Sequence, residues 1–79
     1  MTIYSEILIY PSGDTQEAVH KLHINQLVDL NGRPLSLPLP TVKMIVYRVF
    51  KITVHESTGE HTKRYHLELV RREEMLEYV

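Results

Sequence analysis

The sequence contains no cysteine. Without this residue the chain has no thiolate nucleophile, no cysteine-based zinc site and no disulfide, and its composition fits a reducing compartment. The three glycines form no phosphate-binding loop, and neither a zinc-protease motif nor a nucleophile elbow occurs. We therefore predict a cytoplasmic protein that is not an enzyme and carries no cofactor.

Long apolar runs are also lacking. No segment approaches the roughly 20 apolar residues that span a bilayer, and Ser5 and Glu6 interrupt the first apolar stretch, where a signal peptide would continue. Nine basic residues against ten acidic ones give a formal net charge of -1, so no global positive field attracts nucleic acid. We predict no membrane partner, and we rank a protein partner above nucleic acid.

The composition suits a small globular domain. Hydrophobic residues make up 43% and charged residues 24% of the 79, which is close to the average of folded proteins. A chain of this length has material for one core, so we predict a single β-rich domain over residues 1–79. Because so small a core supplies only about 3–5 kcal/mol, a second copy of the chain is one means of stabilising it.

Residues 3–10 are rich in β-branched and aromatic types and end at the turn formers of residues 11–14, which predicts the first strand. Both faces of this strand are apolar, with Ile3, Ile7 and Ile9 on one side and Tyr4, Leu8 and Tyr10 on the other. Two interpretations stay open: a central position in a small barrel, or a strand covered by another chain. For the second, we predict that the protein interface consists of Tyr4, Leu8 and Tyr10.

Residues 14–23 fit two structures. Asp14 and Glu17 have the spacing of a helix capping box, and Ala18 and Leu22 recur at a helical interval. From residue 20 onward, however, apolar and polar residues alternate as they do in a strand. A short helix and a strand are therefore alternatives for this segment.

Asn31-Gly32 predicts a type I′ turn, because that turn needs positive φ at both central residues and this pair adopts it at little cost. In that register Val28 lies opposite Leu35. The prolines of residues 33–40 then fall where a strand needs no backbone N–H. This predicts a hairpin whose second, proline-rich strand lies at an edge of the sheet.

Residues 43–54 form the longest apolar segment and predict the central strand. Their alternation slips once near Val49 and Phe50, which predicts a β-bulge. An even-length loop after residue 57 places Ile52 opposite Tyr65 and Phe50 opposite Leu67 in the last hairpin. Helix-like spacing of apolar residues beyond residue 70 predicts a short C-terminal helix, with a last strand as the alternative.

Basic side chains and histidines are the remaining candidates for chemistry. The five histidines have no further ligand fixed beside them by spacing, so we predict no metal site. The last hairpin gathers a candidate face for anions or nucleic acid, made of Lys51, Lys63, Arg64 and His66. Glutamates close by in the sequence favour an ordinary solvated face instead.

A strand over residues 22–30, a proline-rich edge, a bent central strand, a tight hairpin and a short terminal element follow one another along the chain. This order resembles that of SH3-like small barrels. We therefore predict a mainly β fold, either a small antiparallel, strongly bent sheet or an SH3-like barrel. By analogy, the resemblance implies a binding role. We predict a non-catalytic interaction module that forms a homodimer or binds another protein; a nucleic-acid-binding barrel that uses the basic last hairpin is the alternative.

Overall fold

The computed structural model describes residues 2–79 and shows a mainly β chain with one short helix. The elements are, in chain order, β1 (Ile3–Ile9), β2 (Thr15–Glu17), β3 (Leu27–Val28), β4 (Tyr47–Ser57), β5 (Glu60–Leu69) and α1 (Arg72–Met75). The five strands form one sheet in the order β2-β1-β5-β4-β3, and this sheet curls into a half-barrel. The predicted mainly β class and the bent sheet are confirmed.

One pairing departs from the antiparallel sheet that we expected. β1 runs parallel to β5, from Ile3 beside Glu60 to Ile9 beside His66, whereas the other neighbouring strands are antiparallel. Parallel neighbours need a long connection between them, and residues 10–59 supply it. The sheet is therefore mixed, with β2 and β3 at its two edges.

The hairpin of β4 and β5 follows the sequence pattern closely. The predicted bulge is confirmed, since the pairing of the two strands shifts directly after Val49, and Ile52 lies opposite Tyr65 as the even loop requires. Phe50 is the extra residue of the bulge, and 49% of it is exposed. Leu67 consequently lies opposite Val49 and not opposite Phe50, because a bulge displaces the register by one residue.

The first core cluster lies on the face of the sheet that we call the inner face. Leu8, Val49 and Tyr65 are at most 1% exposed there. Leu22, from the segment between β2 and β3, and Val28 of β3 pack onto them. Because burying a large apolar side chain is worth about 1.5–3 kcal/mol, this cluster holds β1, β4 and β5 together.

A second core cluster covers one end of the opposite, outer face. Its members are at most 4% exposed and comprise Leu27, Leu39, Val46, Val70 and Met75. Met75 belongs to α1, so the short C-terminal helix predicted from the sequence is confirmed and its role is to close this cluster.

Arg48 connects α1 to the sheet through hydrogen bonds. Its guanidinium donates hydrogen bonds to Glu68 on β5 at 2.5 Å and to Glu74 on α1 at 2.8 Å. These two bonds, first to Glu68 and then to Glu74, raise the pKa of Arg48 far above its usual value. The side chain thus ties a strand and a helix that are distant in the sequence.

Residues 14–23 contain a short strand and no helix. Gln16 of β2 lies opposite Leu8; its side-chain amide accepts a bond from the Tyr10 hydroxyl at 3.0 Å and donates one to the carbonyl oxygen of Asn31 at 2.7 Å. A helix at this point would forfeit these long-range bonds. It would also gain little burial, since Val19 is 80% exposed. The helical alternative for this segment is therefore wrong.

The turn at Asn31-Gly32 forms, but not as type I′. Of the two residues only Gly32 has a positive φ, of 80°, and its N–H donates to the carbonyl oxygen of Asp29 at 3.0 Å. The loop has three residues, which the Asp29 carboxylate stabilises by accepting from the N–H groups of Asn31 at 2.8 Å and Arg33 at 3.0 Å. The register predicted from a two-residue loop is wrong by one residue.

Pro34 consequently lies opposite Val28. The backbone hydrogen bonds there are made by the residues on either side of this pair, so the N–H that proline lacks is not needed. The ladder ends there, because β3 has only two residues. Residues 35–46 continue without a strand to the second core cluster, where Leu39 donates its N–H to Tyr78. The long proline-rich edge strand is therefore replaced by a single bridge.

Candidate interaction surface along the first strand

The three residues predicted as an interface lie in different environments. Leu8 is 1% exposed and belongs to the first core cluster. Tyr10 is half-buried, and its hydroxyl also donates to the carbonyl oxygen of Leu30 at 3.3 Å. Tyr4 is 74% exposed, because the residues that cover the inner face at Leu8 do not reach it. Leu8 is thus corrected to a core residue, and Tyr4 is the member of the set that another chain can reach.

The outer face of β1 carries a column of isoleucines. Ile3 is 61% exposed, Ile7 and Ile9 are half-buried, and neither core cluster includes any of the three. Their neighbours on β5 are polar, with Arg64 beside Ile7 and His66 beside Ile9. The strand therefore presents apolar surface to water on the face opposite the first core cluster.

The outer edge of β1 is only partly paired. β2 covers residues 7–9, and the last contact on this side is the bond from the Ala18 N–H to the carbonyl oxygen of Glu6 at 2.9 Å. The Ile3 N–H donates instead to Gly59, which shows that the odd-numbered residues of β1 face β5. Because peptide groups alternate along a strand, the N–H and C=O of Tyr4 face the open side.

Within residues 2–79, no backbone hydrogen bond to Tyr4 is made on that side. Sequence reasoning missed this open edge, because the extent of β2 follows from tertiary pairing and not from local pattern. The signal in the sequence that could have indicated the open edge is an absence of protecting residues. Residues 2–5 contain no proline and no charged residue, the residues that commonly protect a sheet edge from pairing.

A cleft of about 330 Å³ adjoins this edge on the inner face. It is lined by Tyr4, Ser5, Glu6, Lys21, His61 and Lys63. The ring of Tyr4 lies 5.2 Å from that of His61, and the Tyr65 hydroxyl donates to Glu6 at 2.5 Å. Burial, followed by this bond to Glu6, raises the pKa of the Tyr65 phenol. Tyr4 thus lines a polar cleft in which Glu6 contacts the first core cluster through the Tyr65 hydroxyl.

The predicted basic set is divided between the two faces of the sheet. Lys51 pairs with His66, and Arg64 is next along β5 on the same outer face. Lys63 has the opposite orientation, and its ammonium group lies 5.3 Å from the centre of the Tyr65 ring. Three of the four residues therefore share a surface. The ring of Phe50, 6.3 Å from that of His66, adds an aromatic group to this surface.

A second cleft, of about 250 Å³, lies at the other end of β1. Tyr10 and Tyr47 form one wall, with ring centres 5.1 Å apart, and Asp14 and Gln16 contribute polar atoms. Burial raises the pKa of Tyr10, with smaller contributions from Tyr47 and Asp29. The amide oxygen and amide nitrogen of Gln16 and the Tyr10 hydroxyl already have partners within the chain, so their hydrogen bonds serve the fold.

Two structural surveys bear on other classes of function. Across residues 2–79, no group of three or more histidine, aspartate or glutamate side chains is arranged to hold a metal ion. In the same part of the chain, no helix is long and apolar enough to cross a membrane.

Comparison with known proteins gives one match. A family model described as "Uncharacterised Treponema protein" matches residues 2–78. No curated protein matches the chain, and no solved structure does.

Proposed function

We propose that this chain, which belongs to the family of uncharacterised Treponema proteins, is a non-catalytic interaction module that self-associates through β1. One observation carries the proposal: residues 3–5 of β1 belong to a sheet, yet 61% of Ile3 and 74% of Tyr4 are exposed and the outer edge beside them is unpaired. A cytoplasmic location is part of the proposal, because a chain without cysteine suits a reducing compartment.

The size of the exposed surface sets the expected strength of association. A second copy would cover Ile3, Tyr4 and neighbouring atoms on both chains, and complete burial of such side chains contributes about 1.5–3 kcal/mol each. Association itself costs about 4–15 kcal/mol in lost translation and rotation. Gain and cost are of similar size, so the dimer should be weak, and we take a Kd of about 10 µM to 1 mM as the range to test. An association of this strength depends on protein concentration.

The proposal is tested by a pair of double variants. Tyr4→Lys with Ile7→Lys places cations on the inner and the outer side of β1. Val19→Lys with Leu76→Lys adds the same charge at two exposed apolar residues elsewhere. Sedimentation equilibrium measures the association constant, and circular dichroism verifies the fold of each variant.

We expect the first double variant to stay monomeric and the second to associate as the unchanged chain does. Equal association of both double variants would remove β1 from the interface. Leu8→Lys distinguishes interface from core, since a lysine in place of a side chain that is 1% exposed should unfold the chain at every concentration.

A second candidate function is favoured by the outer face of the hairpin. Lys51, Arg64 and His66 lie together there, with the exposed ring of Phe50 beside them. Cations next to an aromatic ring are the combination with which sheet surfaces bind single-stranded nucleic acid. Glu60 and the formal net charge of -1 oppose it.

This alternative is tested by titration with a fluorescent single-stranded oligonucleotide at several salt concentrations. If the surface binds nucleic acid, Phe50→Leu and Arg64→Gln should each weaken binding, and Arg64→Gln should also reduce its salt dependence. Absence of binding at low salt would eliminate the candidate.

A further inference from the structure

We infer that two copies of the chain join edge to edge, with Tyr4 of one β1 opposite Tyr4 of the other in an antiparallel pair. This inference rests on the proposed function and specifies its geometry. The pair would extend each five-stranded sheet into one sheet of two copies that lies across a two-fold axis.

The direction of the backbone groups dictates this register. The Ile3 N–H donates to Gly59 and the carbonyl oxygen of Glu6 accepts from Ala18, so the peptide groups of Tyr4 and the N–H of Glu6 face the open edge. In an antiparallel ladder, two residues that both face the partner form a hydrogen-bonded pair. Placing Tyr4 opposite its own copy therefore forms two bonds, whereas Ala18 already lies beside Glu6.

The neighbouring chain limits how far the pairing extends toward β2. Shifting the axis to Ser5 would place Ile3 opposite Ile7 of the other copy, where β2 already occupies the edge beside Ile7. The edge beside Glu6 is taken by Ala18, after which the chain leaves the sheet for the inner face, where Leu22 enters the first core cluster. Residues 3–5 of β1 are thus open, and they are centred on Tyr4.

The side chains agree with a second copy as the occupant. Tyr4 lies beside His61 in the register of β1 and β5, with ring centres 5.2 Å apart. The two-fold axis would extend this contact into a row of four rings, one histidine and one tyrosine from each chain, and aromatic cross-strand pairs stabilise sheets. Ile3 would lie opposite Ser5 of the other copy, so that no like charges face each other.

Cross-linking tests the geometry directly, because the chain has no native cysteine. In a hydrogen-bonded antiparallel pair the Cα atoms are about 5.5 Å apart, a separation that a disulfide spans. We expect Tyr4→Cys to form a disulfide-linked dimer under mild oxidation at least about tenfold faster than Val19→Cys, in which the thiol replaces an 80% exposed side chain elsewhere. Equal rates for the two variants would overturn the edge pairing.

Proline substitution supplies an independent test. Tyr4→Pro removes an N–H that faces the open edge, so the chain should fold while its Kd for association rises about tenfold or more. Ser5→Pro is the matched control, since its N–H faces β5 and its loss should disrupt the fold itself. A folded Tyr4→Pro variant that associates with an unchanged Kd would contradict the inference.

The outcomes separate the two proposals. If the chain associates, and the Tyr4→Lys with Ile7→Lys variant does not, but Tyr4→Cys fails to cross-link preferentially, then self-association through β1 stands and the edge geometry fails. If the unchanged chain is monomeric at every concentration, both fail. If Tyr4→Pro does not fold, the comparison of the cross-linking rates of Tyr4→Cys and Val19→Cys still tests the edge pairing.

Discussion

Gly32→Ala tests how the loop after β3 packs on the first core. Gly32 is buried, its φ is 80°, and a Cβ at this position would overlap the side chain of Leu8. A non-glycine residue in the left-handed region costs about 1–2 kcal/mol. Overpacking against Leu8 adds about 1–3 kcal/mol. We therefore expect the free energy of unfolding to fall by about 2–5 kcal/mol in total, a large part of the stability of so small a domain.

Gly13→Ala is the matched control. Gly13 also has a positive φ, of 95°, but a Cβ there meets no atom within 4 Å. Only the conformational cost of about 1–2 kcal/mol should appear. Urea unfolding, followed by circular dichroism, measures both variants against the unchanged chain. Equal losses would refute the contact between the loop and Leu8, because the second contribution at Gly32 would then be absent.

Four further substitutions test other parts of the structure by the same urea assay. Leu67→Ala should cost about 2–5 kcal/mol as a truncation in the first core, and His66→Ala, on the outer face, about 1 kcal/mol or less; similar costs would contradict the hairpin register. Arg48→Gln should cost about 1–2 kcal/mol, a value reduced by the exposure of its two glutamates, and amide exchange should then accelerate in α1 before it does in β5. Tyr65→Phe should cost about 1–2 kcal/mol at neutral pH by leaving Glu6 unpaired. The pKa of Tyr65 is raised in the folded chain. Its contribution to stability is therefore present below the unfolded pKa of about 10 and is lost as the pH rises beyond it. The difference in stability between the variant and the unchanged chain should narrow at alkaline pH, and a constant difference would contradict this.

Local patterns predicted the elements that depend on neighbouring residues. The slip in alternation located the bulge after Val49, and the even loop placed Ile52 opposite Tyr65. Both follow from the two-residue period of a strand, which side-chain burial enforces on the two sides of one hairpin. The short C-terminal helix likewise follows from the position of Met75, which is 3% exposed.

The features that the sequence did not predict depend on long-range partners. The loop at Asn31-Gly32 has three residues because the carboxylate of Asp29 holds it, and the choice between two and three residues shifted the entire register. Parallel pairing of β1 with β5 involves residues more than 50 positions apart, and no local sequence pattern indicates it.

The candidate site shows the same division. Apolar residues on both faces of β1 correctly indicated that the strand has more apolar surface than one core covers. The sequence did not reveal which face enters the core, because Leu8 and Ile7 are equivalent in pattern. Leu22 and Val28 decide it by packing on the side of Leu8. The open edge at Tyr4 was invisible for the related reason that β2 ends at Glu17 through tertiary pairing.

The central claim is that β1 brings two copies of this chain together. Sedimentation equilibrium of the unchanged protein from about 10 µM to about 1 mM, the range of Kd expected for so small an interface, tests it most directly. We expect a weight-average mass that rises with concentration from the 9.3 kDa of one chain toward twice that value. A mass that stays at that of the single chain up to the highest concentration would contradict it.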